Sequence, residues 1–340
     1  MAIAWAALLL LCLAMYVLLD GYDLGIGVAM LVERDGRHRT QMLEQVARAW
    51  DGNETWIVLL GVGLWAGFPV AFGTILPHAY LAVFVVLLSL IVRGVSVEMA
   101  SQAPPGSTWE RAFAVASLFA AIAQGVVLAT LTQNLVVVGG AFSGSPFGSI
   151  GWFAVLAAAT VTCLYLAMGY AYTKLNSTAE LRGISARRGM VSTLIAVALI
   201  AASLVAVNFT AAPLDLHTPG RAIGFAGLLL FAAGGAGMAL MTFRAASSSD
   251  ALPLAGLAVA VVAVLIAVVV ARAPVIVPPS LTVANSVSPS TTMVFLAVGV
   301  GLNVPLLLFY TWFSHRVLRS TTSSPRTGRT QPLAGATDGP

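Results

Sequence analysis

Five ionisable side chains stand inside, or at the edge of, long apolar runs. LLDGYDLGIG carries Asp20 and Asp23 within the first run, AWDGNETWI sets Asp51 and Glu54 at the mouth of the second, and LIVRGVSVEM holds Arg93 in the third. On a helix turning about 100° per residue, Asp20 and Asp23 share one face with Leu24 and Gly27. Asp51 and Glu54 share another with Val58, Gly61 and Trp65, and Ser89, Arg93 and Ser96 a third. Charge in hydrocarbon is costly, so such groups face a bundle interior or a watery cavity, and they often mark proton or ion pathways. A buried carboxylate must either be neutralised or pair with a cation, and Arg93 is the cation at hand. Four carboxylates and one guanidinium at one membrane depth suit a proton relay. Each also has a plainer role: Asp51 as a helix cap, Glu54 at the positive helix end, Arg93 as a snorkelling side chain. Asp20 and Asp23 fit such roles less well, since they precede the expected end of their helix by 12 and 9 residues.

The elements that must hold these groups are membrane helices. Of 340 residues, 59% are apolar and 9% charged, far from the roughly 25% charged of soluble domains. The net charge of +4 is scattered between apolar runs, so nucleic acid is not an expected partner. Nine stretches reach the roughly 20 apolar residues that a crossing needs: approximately 3–32, 53–72, 78–99, 112–138, 149–172, 189–209, 222–243, 253–271 and 293–313. The second and third are separated only by Gly73–Pro77 and are expected to form a tight antiparallel hairpin. The first run lacks a basic leader and a cleavage site and reads as a retained helix.

With nine crossings, one side collects 15 of the 17 Lys and Arg residues, leaving Arg221 and Arg272 on the other. The rule that basic loops stay inside puts the N-terminus outside and the C-terminus in the cytoplasm. The expected fold is all-α and polytopic: a nine-helix transmembrane domain over 1–319 and a disordered cytoplasmic tail over 320–340, rich in Ser, Thr, Gly and Pro.

Other polar residues read as packing. Gly21 and Gly25 form a GxxxG that admits a close helix neighbour. Gln124, Thr130, Thr132, Gln133 and Asn134 suit hydrogen bonds between helices, while Trp50, Trp56, Trp65, Trp152 and Trp312 suit interfacial anchors. Cys12 and Cys163 read as small hydrophobes. His38, His78, His217 and His315 fall in loops or at helix ends, so no pair clamps a haem at mid-membrane and no metal is expected on this chain.

LLDGYDLGIG followed about 23 residues later by WDGNETW resembles subunit II of the cytochrome bd quinol oxidases, including the cyanide-insensitive branch. LIVRGVSVEM, PPSLTVANSVSPSTTMVF and NVPLLLFYTWFSHRVL extend the likeness over essentially the full length. The resemblance implies nine helices with an outer N-terminus and a bacterial inner-membrane location. It implies a partner, subunit I, that holds two b-type haems and haem d and oxidises quinol near the outer face while O₂ is reduced to water.

Subunit II in this family binds no haem, and some relatives hold a quinone in it as a structural ligand. Small single-helix accessory subunits and membrane lipids are further implied partners. By the same resemblance Asp51, of the WDGN motif, serves proton entry from the cytoplasm, with Asp20, Asp23, Glu54 and Arg93 as neighbours by geometry. Gly52, Asn53, Trp50 and Trp56 of that motif are expected to pack helices or subunits. The segment ATLTQNLVVVGG departs from the family's GN…QG pattern, with Gln133 matching its glutamine. A proton-coupled secondary transporter using the same carboxylates is the other reading. It lacks the internal repeat and paired broken helices of such transporters.

Overall fold

The computed structural model describes residues 1–48, 50–133, 135, 137–138, 141–142, 145, 147–148, 150–244 and 250–321, with the backbone alone at 137–138, 141–142 and 314–321. Twelve α-helices account for nearly all of it. They are α1 (Ala2–Val32), α2 (Gly36–Val46), α3 (Trp50–Gly67), α4 (Pro69–His78), α5 (Tyr80–Gln102), α6 (Thr108–Thr130), α7 (Trp152–Asn176), α8 (Ala179–Ala206), α9 (Pro219–Arg244), α10 (Leu252–Arg272), α11 (Val283–Ser286) and α12 (Ser290–Thr321). Two short antiparallel ribbons join them, β1 (Val137–Val138) with β2 (Ala141–Phe142) and β3 (Val275–Val277) with β4 (Leu281–Thr282).

Among the described residues eight helices are long and apolar enough to cross a membrane: α1, α5, α6, α7, α8, α9, α10 and α12. The expected second crossing, 53–72, is divided between α3 and α4 at Phe68, whose φ of −133° and ψ of 65° are not helical. Pro69 is the cause, because a proline disfavours the helical conformation in the residue before it. Gly73–Pro77, expected as a hairpin turn, lies inside α4. The expected fourth span, 112–138, is helical only to Thr130. There the free carbonyls find other donors: Thr132 Oγ1 donates to Ala129 O at 2.7 Å and Arg272 Nη1 to Leu131 O at 2.7 Å. The tail assigned to 320–340 lies outside the described residues from 322 onward, and helical backbone continues to Thr321.

Helix α1 is central, packing on α3, α6 and α7; α5 pairs with α6, α7 with α8, and α9 with α10, while α12 rests on α3. Small residues set these distances. A Cβ on Gly25 would overlap the backbone carbonyl of Tyr165, and Gly169 of α7 faces it across the same gap.

The loops gather at two ends. At one, Glu33 pairs with Arg188 (2.7 Å), Arg39 with Glu110 (3.6 Å) and Lys174 with Asp250 (2.9 Å), joining the connections after α1, α5, α7 and α9. At the other, Arg272 bonds Leu131 O and Ala212 O, and Ser288 Oγ donates to Ala66 O (2.6 Å). Helix α3 runs antiparallel to α1 between them: its Asn53 meets Tyr22, and its Gly63 accepts from Trp5 Nε1 at 3.0 Å.

Candidate functional site

The site forms where α1, α3 and α5 meet, toward the basic end. Each helix brings its polar group because its apolar neighbours bury the rest of the same stripe; Leu24, Ile26 and Trp56 are all but inaccessible around it. Asp20, Asp23 and Arg93 are fully buried. Arg93 is therefore not a snorkelling residue. Its Nη1 donates to Asp20 Oδ1 in a short ion pair, and its Nη2 donates to Glu54 Oε2 at 3.1 Å. Asn53 holds the other carboxylate, with Nδ2 donating to Asp23 Oδ2 at 2.8 Å and lying 2.9 Å from the Tyr22 hydroxyl.

Charge and hydrogen bonding are both left incomplete. One guanidinium faces three carboxylates, Asp20, Asp23 and Glu54. Burial tolerates such an excess only when protons or a further cation balance it. Asp20 Oδ2, Asp23 Oδ1, Arg93 Nε and Ser96 Oγ are buried without a hydrogen-bond partner among the described residues. Internal water satisfies groups of this kind where a site is polar and roomy enough.

Glu54 is the member of the cluster that reaches the surface. Its side chain keeps 24% of its exposure, while Arg93 and Asp20 beside it keep none. Asp51, one turn earlier, is exposed and stands outside the Arg93 cluster. Its face of α3 continues through Val58 (61% exposed) and Trp65 (60%), turned away from the rest of the chain.

The residues expected to pack do so in different ways. Trp50 packs against the central core and limits the space over Gly94; Gly52 faces Tyr310 of α12. Trp56, expected among the interfacial anchors, is instead 1% exposed and packs with Cys12 and Tyr16; Trp65, Trp152 and Trp312 are exposed. Gly21 lies against the Tyr165 ring. Gln133 sits at the opposite end of the bundle, its Oε1 2.7 Å from His78 Nε2. Asn134 lies outside the described residues. Of the histidines expected in loops or at helix ends, His38 lies in the first turn of α2, His78 closes α4 and His217 lies in a loop, while His315 falls within α12.

Tyrosines form a second polar layer that motif reading passed over. Gln124 Nε2 donates to the Tyr16 hydroxyl at 2.7 Å and its Oε1 accepts from Tyr165 at 2.7 Å. Tyr16 precedes Asp20 by four residues, one helical turn, and that spacing was the available signal. Tyr22 stacks on Tyr172 with ring centroids 4.1 Å apart.

The basic end is closed by α2, also absent from the expected elements. Asp35 caps it, accepting from Arg37 N at 2.8 Å, and Met42, Leu43 and Val46 are buried beneath it. Among the described residues no three His, Cys, Asp or Glu side chains group as a metal ion would need.

A bundle of long apolar helices around a buried, charge-imbalanced cluster defines the class: a helical polytopic membrane protein. The family is equally plain, for residues 1–318 match the one described as cytochrome bd terminal oxidase subunit II, and the chain belongs to it. It is 26% identical over 188 residues to the cytochrome bd-I ubiquinol oxidase subunit 2 of Escherichia coli strain K12, covering 52% of this chain and 49% of that one. It is 24% identical over 183 residues to the cytochrome bd ubiquinol oxidase subunit 2 of Bacillus subtilis strain 168, covering 52% and 54%. The chain thus spans about half the length of the curated relatives it matches. A chain of the bd oxidase structure from Geobacillus thermodenitrificans shares the fold, with a TM-score of 0.73 at 14% identity over 93% of this chain and 98% of that one. The protein is accordingly a multi-pass protein of the bacterial inner membrane, and the transporter reading is not favoured.

Proposed function

We propose that this chain is the non-haem subunit of a bd-type terminal oxidase, a quinol:O₂ oxidoreductase of the translocase class, and that it supplies a cytoplasmic proton entry. Family membership supports the first part. The observation that carries the second is the step from exposed Asp51 to half-open Glu54 to the buried Arg93–Asp20 pair. Asp51 collects protons, Glu54 passes them inward, and Arg93 keeps Asp20 available as an acceptor.

In this reading α3 is the ninth crossing, with the N-terminus outside and the basic end in the cytoplasm. A haem-bearing subunit I, with haem b and haem d, extracts electrons from quinol near the outer face and reduces O₂. Protons released outside and consumed from inside build a membrane potential without pumping. Subunit I docks on the face of α3 and α12 that carries Asp51, because an exposed carboxylate in an apolar face fits a protein partner better than lipid. A structural quinone and small single-helix accessory subunits complete the proposed assembly.

Asp51→Asn tests the entry. In the purified complex it should slow quinol-driven O₂ consumption by about 100-fold or more, with the haem b and haem d bands of the reduced-minus-oxidised spectrum intact. Loss of the haem bands together with activity would make Asp51 an assembly residue. A colourless protein isolated without a large partner would refute the oxidase reading itself.

A further inference from the structure

Where α1 ends, a groove of about 320 Å³ opens between α1, α7 and α8, lined by Val32, Leu166, Tyr170, Arg187, Arg188, Val191 and Ser192. Its lining changes character along the bundle axis. On α8, Arg187 stands at the basic end and Val191 one turn deeper; on α7, Tyr170 stands at that end and Leu166 one turn deeper. Four residues rise about 6 Å, which is the scale over which a bilayer passes from headgroup to acyl chain. The apolar walls are open, Val32 being 57% and Val191 48% exposed.

The polar end has a surplus of positive charge. Arg188 is occupied, donating to Glu33 Oε2 at 2.7 Å. That pair leaves the exposed Arg187 with no ion-pair partner among the described residues, and Arg34, also exposed, follows Val32 by two positions. A guanidinium offers a planar fork of donors that matches phosphate oxygens. Basic pockets between membrane helices at this level suit anionic headgroups. The groove lies on the flank of α7 and α8, whereas Asp51 and α12 occupy the flank of α3.

We propose that this groove is a binding site for an anionic phospholipid, its phosphodiester on Arg187 beside Arg188 and Tyr170, and one acyl chain along Leu166 and Val191. The site rests on membrane residence and not on the oxidase reading.

The test is native mass spectrometry of the protein purified from its native membrane with whatever chains accompany it, delipidated in detergent and titrated with phosphatidylglycerol or phosphatidylcholine. Phosphatidylglycerol should be retained over phosphatidylcholine, and Arg187→Gln should lower its retention at least several-fold, with Arg187→Lys keeping part of it. Arg111→Gln removes an equal charge from exposed surface elsewhere and should change little. Val191→Trp, at an exposed position that folding tolerates, should also displace the lipid. Equal retention of the two lipids, or equal loss in Arg187→Gln and Arg111→Gln, would overturn the proposal. So would full displacement of the lipid by millimolar inorganic phosphate, which would make the groove a site for a soluble anion.

Discussion

At the scale of single residues, Arg93 organises the site. It is wholly buried and is shared by Asp20 and Glu54, so removing it strands a carboxylate in low dielectric. Breaking a buried pair from one side costs about 3–5 kcal/mol. Arg93→Met should therefore lower the thermal stability of the purified protein sharply. Adding Asp20→Asn should recover a good part of the loss, because the second change removes the stranded charge. A single variant as heat-stable as the parent would show that the pair does not hold the bundle together. Asn53 was legible only as one letter of the WDGNETW motif. Its bonds to Asp23 and Tyr22 depend on how α3 is rotated against α1, which no spacing along one helix reports.

At the scale of elements, the approach of α1 to α7 is set by glycine. Gly25 has no room for a Cβ against the Tyr165 carbonyl, and overpacking of this kind typically costs about 1–3 kcal/mol. Gly25→Ala should lower the melting temperature and weaken retention of this chain in the complex, whereas Gly227→Ala, in open space on α9, should do neither. The GxxxG was visible in the sequence; its partner helix was not.

Glu33, just past the end of α1, ties α2 to α8. Burial pushes its carboxyl up, but amide hydrogen bonds from Asp35 and Arg34 and the Arg188 guanidinium outweigh burial and hold it below its ordinary value of 4.5. A depressed carboxylate stabilises the fold fully above its unfolded value, and that contribution is lost as pH falls through the folded one. Amide protection factors in 36–46, taken relative to the intrinsic exchange rate at each pH, should therefore fall as pH drops below 4.5, and Glu33→Gln should lower them already at neutral pH. Exchange that ignored both changes would mean α2 is held by Met42, Leu43 and Val46 alone.

At the scale of the whole molecule, α3 and α12 turn a broad apolar face outward, the face proposed above to meet a partner. Val58, Val62 and Trp65 on α3, and Leu302, Leu306 and Phe309 on α12, are all exposed. Arginine at position 58 would set a cation in the middle of that face, two turns along α3 from Asp51. Val58→Arg should leave the chain membrane-inserted and folded but strip the haem-bearing partner during purification, read from the co-purifying chains and the haem bands. Undiminished haem would mean that this face looks onto lipid.

Composition and the length of the apolar runs determined by themselves that this chain is a helical membrane protein. Those are properties of transfer into hydrocarbon, which each segment has regardless of its neighbours. The family was likewise legible in the two Asp–Gly motifs and the spacing between them. Only the tertiary structure separated Asp51 from Glu54. They lie about 60° apart on one helix, and the boundary between the buried and exposed faces of α3 falls between them, turning Glu54 to Arg93 and Asp51 outward. The short α6 and the docked α2 were decided in the same way, whereas the break at Phe68 follows from Pro69, which the sequence already carries. A helix end or a surface helix is stabilised by contacts from distant segments, as Arg272 does at Leu131 and Arg188 at Glu33.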